Sequence, residues 1–168
     1  MKKSIIIFAA IVLMAGFSTR VMAQNSVSTQ VGANIVAGPS ISSTATLDFG
    51  GMIKPSTAAT VTISPLGART STGTITLLSS SVGHAASYTL TGEGNSGYLI
   101  HLPADGVVSV SNGAAGTMSV NAFLASGSAP YALSGGSGSF TVGATLGLAN
   151  GQATGAYTGS FNVMVDYQ

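Results

Sequence analysis

An antiparallel all-β sandwich is the fold this sequence predicts, on three observations. Apolar residues recur at every second position through most of the chain, the period of a strand with one buried face. The runs are short and are separated by Gly-Gly, Asn-Gly and Asp-Gly pairs, which supply the positive φ that tight hairpins need. Helix signals are nearly missing. Beyond residue 23 the chain has one Glu and one Lys, so charged i,i+4 pairs cannot form, and dense Gly, Ser and Thr disfavour helix interiors.

The first 23 residues read as an address rather than as part of the fold. Lys2 and Lys3 precede an apolar run from Ile5 to Phe17, and Val21-Met22-Ala23 supplies small residues before Gln24. That is the order of a secretory signal peptide. The run of 13 residues is too short for a spanning helix, which needs about 20. No Cys follows it, so lipid attachment at a new N-terminus is excluded. The organisation expected is a signal peptide over 1–23, an N-terminal extension or first strand over 24–44, and a sandwich domain over 45–168.

The strands follow in order. Val27, Val31 and Ile35 alternate along the N-terminal stretch, with Thr29 and Ala33 between them. Leu47 and Phe49 share a face. Ala59, Val61 and Ile63 alternate with threonines and stop before Pro65. Ile75 and Leu77 come next, then Ala86, Tyr88 and Leu90, then Tyr98, Ile100 and Leu102, ending at Pro103. Val108 and Val110 precede Met118, Val120 and Ala122. Phe140 and Val142 lead to Ala144, Leu146 and Leu148. Tyr157, Gly159, Phe161, Val163, Val165 and Tyr167 all fall on one face. The turns between are expected at Gly50-Gly51, Leu66-Gly67, Gly92–Gly97, Asp105-Gly106, Asn112-Gly113, Gly135–Gly138 and Asn150-Gly151.

Composition narrows the function. Only 5% of residues are charged, against about 25% in an average soluble domain. Removing the first 23 residues leaves Lys54 and Arg69 against Asp48, Glu93, Asp105 and Asp166, a net charge of −2. So few cations exclude a nucleic-acid surface, which must neutralise phosphates. The chain has no Cys, which excludes disulfide scaffolds, thiol catalysis and cysteine-ligated metals. Ser and Thr fill the polar strand positions, so a β surface can be soluble without charge.

Motifs for chemistry are weak. Gly92-Glu93-Gly94-Asn95-Ser96-Gly97 fits G-x-G-x-x-G, but a strand-like run follows where a dinucleotide site needs a helix. Leu102-Pro103-Ala104-Asp105-Gly106 resembles a sortase signal, with Asp where Thr is required and no apolar tail behind it. His84 and His101 have no metal-ligand spacing to another donor. The four carboxylates are far apart in sequence, and no G-x-S-x-G elbow occurs. No catalytic residue, metal ligand or cofactor site is expected.

The two ends of the secreted chain carry the functional signal. A strongly alternating strand runs to the last residue, with Tyr167 penultimate and Gly155 fourteenth from the end. Chaperone–usher pilus subunits end in a similar way. Such a strand can be an edge left incomplete until a partner pairs with it. Gly155, Tyr157, Phe161, Val163, Val165 and Tyr167 are the candidate assembly strand, and Val27, Val31, Ala33 and Ile35 the candidate donor strand.

From about Ala45 to Gln168 the chain resembles an uncharacterised family of bacterial secreted β-domains, some of them similar to Mat/Ecp-type (common pilus) major fimbrial subunits. The resemblance rests on Leu47-Asp48-Phe49-Gly50, Tyr98-x-Ile100-x-Leu102-Pro103, Met118, Phe123, Gly138-x-Phe140-x-Val142-Gly143-Ala144-x-Leu146 and, most specifically, Gln152-x-x-Gly155-x-Tyr157-x-Gly159-x-Phe161-x-Val163-x-Val165-x-Tyr167. Gly143-Ala144 replaces the usual Gly-Gly. The resemblance implies an immunoglobulin-like, pilin-like sandwich with a fimbrial role.

The function expected is a secreted structural or adhesive subunit of a surface filament, assembled by β-strand exchange. Its partners would be further copies of itself and a periplasmic chaperone, with no nucleic acid and no stable membrane insertion. It would pass through the periplasm to the cell surface. The alternatives are a stand-alone secreted binding sandwich and a small outer-membrane barrel. The absence of Trp argues against a sugar-stacking platform. Short strands and a final Tyr-Gln argue against a barrel.

Overall fold

The computed structural model describes residues 24–113 and 116–168. The signal-peptide reading of 1–23 lies outside them. The chain divides after Asn34, and Ile35–Gln168 forms one compact unit. In the N-terminal unit, residues 24–34 are exposed and belong to no strand.

The compact unit is built of strands β1 (Ser40–Ala45), β2 (Asp48–Ile53), β3 (Ala59–Ile63), β4 (Arg69–Thr72), β5 (Thr76–His84), β6 (Ala86–Thr91), β7 (Gly97–His101), β8 (Val108–Ser111), β9 (Thr117–Ala125), β10 (Tyr131–Ala132), β11 (Ser137–Leu148) and β12 (Met164–Tyr167). Every pairing is antiparallel. The fold is therefore the all-β sandwich that the alternation predicts.

One large sheet has the path β1-β6-β11-β3-β4, with β9 also paired to β11 and β8 to β9. The long β11 organises it: Ser137–Val142 pairs with β6, Ala144–Leu148 with β3, and Val142–Leu146 with β9. Two smaller sheets, β10-β7-β12 and β2-β5, lie against its apolar face. Under β2 and β5, Val61, Val108, Met118, Val120, Ala144, Leu146 and Leu148 meet Leu47, Phe49, Met52 and Leu77. Under β7 and β12, Ala86, Leu90, Phe140 and Val142 meet Tyr98, Ile100, Val163, Val165 and Tyr167. Ile63, Leu90, Val61 and Val142 are the largest aliphatic side chains sealed completely.

The other face of the large sheet explains the low charge. Cross-strand rows are made of hydroxyl residues: Ser42, Thr89 and Ser139 stand in register, and so do Thr70, Thr62 and Thr145. Some hydroxyls bond across the strands, as Thr62 to Thr145 at 2.8 Å and Thr60 to Thr72 at 2.7 Å. Such pairs satisfy the pleated surface without ions.

Three expectations need correction. Gly50-Gly51 is not a turn but an irregularity inside β2, where the register to β5 shifts between Gly50 and Met52. Gly50 sits at φ +70°, and a Cβ there would run into the Ser81 carbonyl. Ala122 does not continue the inward face of Met118 and Val120. At φ 52° it switches the parity of β9, so that Phe123 and Ala125 turn inward instead. The sandwich also begins before residue 45, because β1 is already paired to β6 in the large sheet.

Candidate functional site

The compact unit carries an open groove of about 640 Å³, with an apolar floor and walls of mixed polarity. One wall is β2 from Asp48 to Met52, with Leu78 and Ser81 of β5. The other wall is residues 152–161. Val108, Val110, Met118, Val120, Leu146 and Leu148 form the floor. The floor belongs to the main core, so the groove is a stretch of core without a lid.

Its walls are incomplete strand edges. Among the described residues, β2 is hydrogen-bonded to β5 only. On the far side the chain runs extended from Tyr157 to Tyr167, with odd residues half-buried, apart from exposed Gly159, and even residues exposed. Only Met164–Tyr167 joins a ladder, pairing with β7. Before it, Thr158 makes a two-bond bridge to Ser111 at 2.8 and 2.9 Å. Among the described residues, neither the second edge of β2 nor residues 159–163 belong to any ladder. Unpaired strand edges are templates for further pairing.

The candidate assembly residues divide between groove and core. Gly155, Tyr157 and Phe161 line the groove. Val163, Val165 and Tyr167 pack under β7 instead and do not reach it. Local bonds fix this segment. Tyr157 donates its hydroxyl to the Ala153 carbonyl at 2.9 Å and accepts from Gln152 Nε2 at 2.8 Å. Phe161 stacks obliquely on Phe123, centroids 4.9 Å apart. At Gly159 a Cβ would stand 2.5 Å from the Ser109 carbonyl, so the backbone here lies directly on β8. Tyr167 accepts the Glu93 amide at 2.7 Å, which anchors the C-terminal end to the Gly92–Gly97 turn.

The candidate donor residues lie in and beside the N-terminal unit. Val27, Val31 and Ile35 are 90, 95 and 95% exposed, and Ala33 is exposed as well.

The remaining polar candidates make local contacts. His101 pairs with Asp166 at 3.2 Å on the open surface of β7 and β12. Asp105 accepts the Ala122 amide at 2.6 Å, and Asp48 accepts the Gly50 amide at 2.8 Å. Asp105 thus ties its turn to β9, and Asp48 holds the irregularity in β2. Burial raises the pKa of Tyr88 and of Tyr98, the latter helped by Tyr131, but both belong to the core.

Arg69 was read from sequence only as one of two remaining cations. It reaches from β4 to β2 and β5, donating to the carbonyls of Gly51 at 2.7 Å, Ser81 at 3.1 Å and Leu78 at 3.3 Å. No sequence signal points to this role.

Fold and groove together define an all-β sandwich with an uncovered strip of core between two unpaired strand edges. The chain belongs to the family described as a domain of unknown function (DUF4402), whose model matches residues 40–167. No curated protein and no solved structure is matched.

Proposed function

We propose that this protein is a secreted structural subunit of a bacterial surface filament, and that it assembles by β-strand exchange. The N-terminal segment of one copy would enter the groove of the next. The observation that carries this reading is the groove itself: an apolar floor between two strand edges that have no partner on that side. An added strand would supply main-chain bonds to the edges and side chains to the floor.

The N-terminal segment has the form of such a strand. In extended conformation Val27, Thr29, Val31, Ala33 and Ile35 share one face. From Val27 to Ile35 it would span about 27 Å. Residues 24–36 carry no charge and no proline, so no ion has to be buried and every amide can pair. Burying Val27, Val31 and Ile35 would contribute roughly 1.5–3 kcal/mol each, enough for a long-lived joint without disulfides.

The signal-like N-terminus and the resemblance of the C-terminal block to common-pilus subunits support the same reading. A groove left open during export would need temporary cover, which fits a periplasmic chaperone as first partner. The role is mechanical and assigns no catalytic residue. An apolar core with Ser and Thr outside favours this reading over a barrel, which needs an apolar outer band.

The test is to secrete the full chain and a variant without residues 24–36, then examine both by size exclusion and electron microscopy. Filaments or ladders of multimers from the full chain alone are expected. Equally stable monomers from both, with or without a chaperone, would end the proposal.

A further inference from the structure

We propose that Arg69 is the positioning residue of the groove, holding the β2–β5 wall in place without touching the strand that enters. The inference rests on the strand-exchange reading for its consequence, but its structural part stands by itself.

The β2–β5 sheet has a defect at its centre. Gly50 pairs with Val82 and Met52 with Leu77, so residues 78–81 of β5 have no ladder partner on β2. Two strands alone are marginal even when regular. Here the ladder is interrupted where β2 faces the groove, at Gly51, Leu78 and Ser81. Carbonyls freed by such a bulge need other donors.

Arg69 supplies them. Its two terminal nitrogens take the carbonyls of Gly51, Leu78 and Ser81, and the Ser81 hydroxyl takes the Gly51 amide at 2.8 Å. Arg69 is itself held by pairing with Ile63, a fully sealed residue of β3. The small sheet is thereby tied to the large one at its weakest point. No carboxylate shares the guanidinium among these contacts, and its Nε is buried without a partner. The side chain is only partly buried, and its worth lies in the three carbonyls it organises. A planar fork with several fixed donors can span them; a single ammonium cannot.

The test uses Arg69→Met and Arg69→Lys in the full chain, with hydrogen exchange resolved by strand. In Arg69→Met, amides of β2 and β5 should exchange at least about tenfold faster while β3, β6 and β11 keep their protection. Arg69→Lys should not restore the parent pattern. Assembled material from either variant should come apart at least about tenfold faster than the parent. Equal loss of protection in every strand would make Arg69 a general stabiliser and overturn the proposal. Unchanged exchange in β2 and β5 would overturn it too, and so would a loosened wall with joints of parent lifetime. If the parent chain never assembles, strand exchange fails as a function, and the exchange pattern still decides whether Arg69 holds the wall.

Discussion

Val31→Asp separates folding from assembly. Val31 is 95% exposed in the free chain, so the substitution should shift the stability of the sandwich by no more than about 0.5 kcal/mol. Inserted into the groove, the same residue would face a floor of Val, Met and Leu side chains. The joint then loses the roughly 1.5–3 kcal/mol of a buried Val. It also has to desolvate a carboxylate against that apolar floor, at a further few kcal/mol, with Lys54 in the groove lining exposed to solvent rather than buried beside it. A total of about 3–5 kcal/mol weakens the joint by roughly two to four orders of magnitude. The assay is a pair of measurements: a urea transition on the monomer, and multimer distribution by size exclusion and electron microscopy. An unchanged transition with lost multimers is expected. Normal filaments from Val31→Asp would refute the donor assignment, and a collapsed transition would refute the claim that the segment lies outside the core.

Other perturbations bear on the walls and the core. Leu90→Ala empties a site with 0% exposure and should cost about 2–5 kcal/mol, read as a lower urea midpoint. Gly159→Val should push the chain off the Ser109 carbonyl and narrow the groove, so that multimers fall while sheet protection by hydrogen exchange persists. Tyr167→Phe removes the bond from the Glu93 amide and should cost about 0.5–1.5 kcal/mol in the same transition. Raised tyrosine pKa values at Tyr88 and Tyr98 mean that their contribution is whole below the unfolded value of 10.0. It should drain away as pH rises through the higher folded values, with tyrosinate absorbance and unfolding followed together.

The strands were legible because their alternation is set by burial. Ala59, Val61 and Ile63, or Phe140 through Leu148, face one core and repeat every second residue. The turns at Asp105-Gly106 and Asn150-Gly151 were legible because few residues tolerate their dihedrals. β1 was not, because Ser40–Ala45 is mostly hydroxyl residues and only Ile41 packs on the core cluster. Gly50-Gly51 misled because a positive φ serves a bulge as well as a turn.

The site was half legible. The alternation of the C-terminal segment and that of Val27, Val31 and Ile35 could be read directly, since both are local patterns, whereas the exposure of the N-terminal residues could not. The groove could not, because it is defined by the strand that β2 lacks, and a missing neighbour leaves no mark on either sequence. Arg69 was invisible for a related reason: its partners are carbonyl oxygens, which every residue has.

The low charge of the chain also has a structural meaning. Ser and Thr rows cover the outer face of the large sheet, and Arg69 and Lys54 are the only Lys or Arg beyond residue 23. One of these two is committed to the groove wall.

The most direct measurement is a cysteine trap, because the chain has no cysteine of its own. One population carries Val27→Cys, Val31→Cys or Ile35→Cys, and a second carries Val110→Cys in the groove floor. Mixed during assembly and oxidised, they should yield a disulfide joining the two different chains for at least one of the three positions. No such cross-link at any position, with the N-terminal cysteines remaining free in assembled material, would contradict the account.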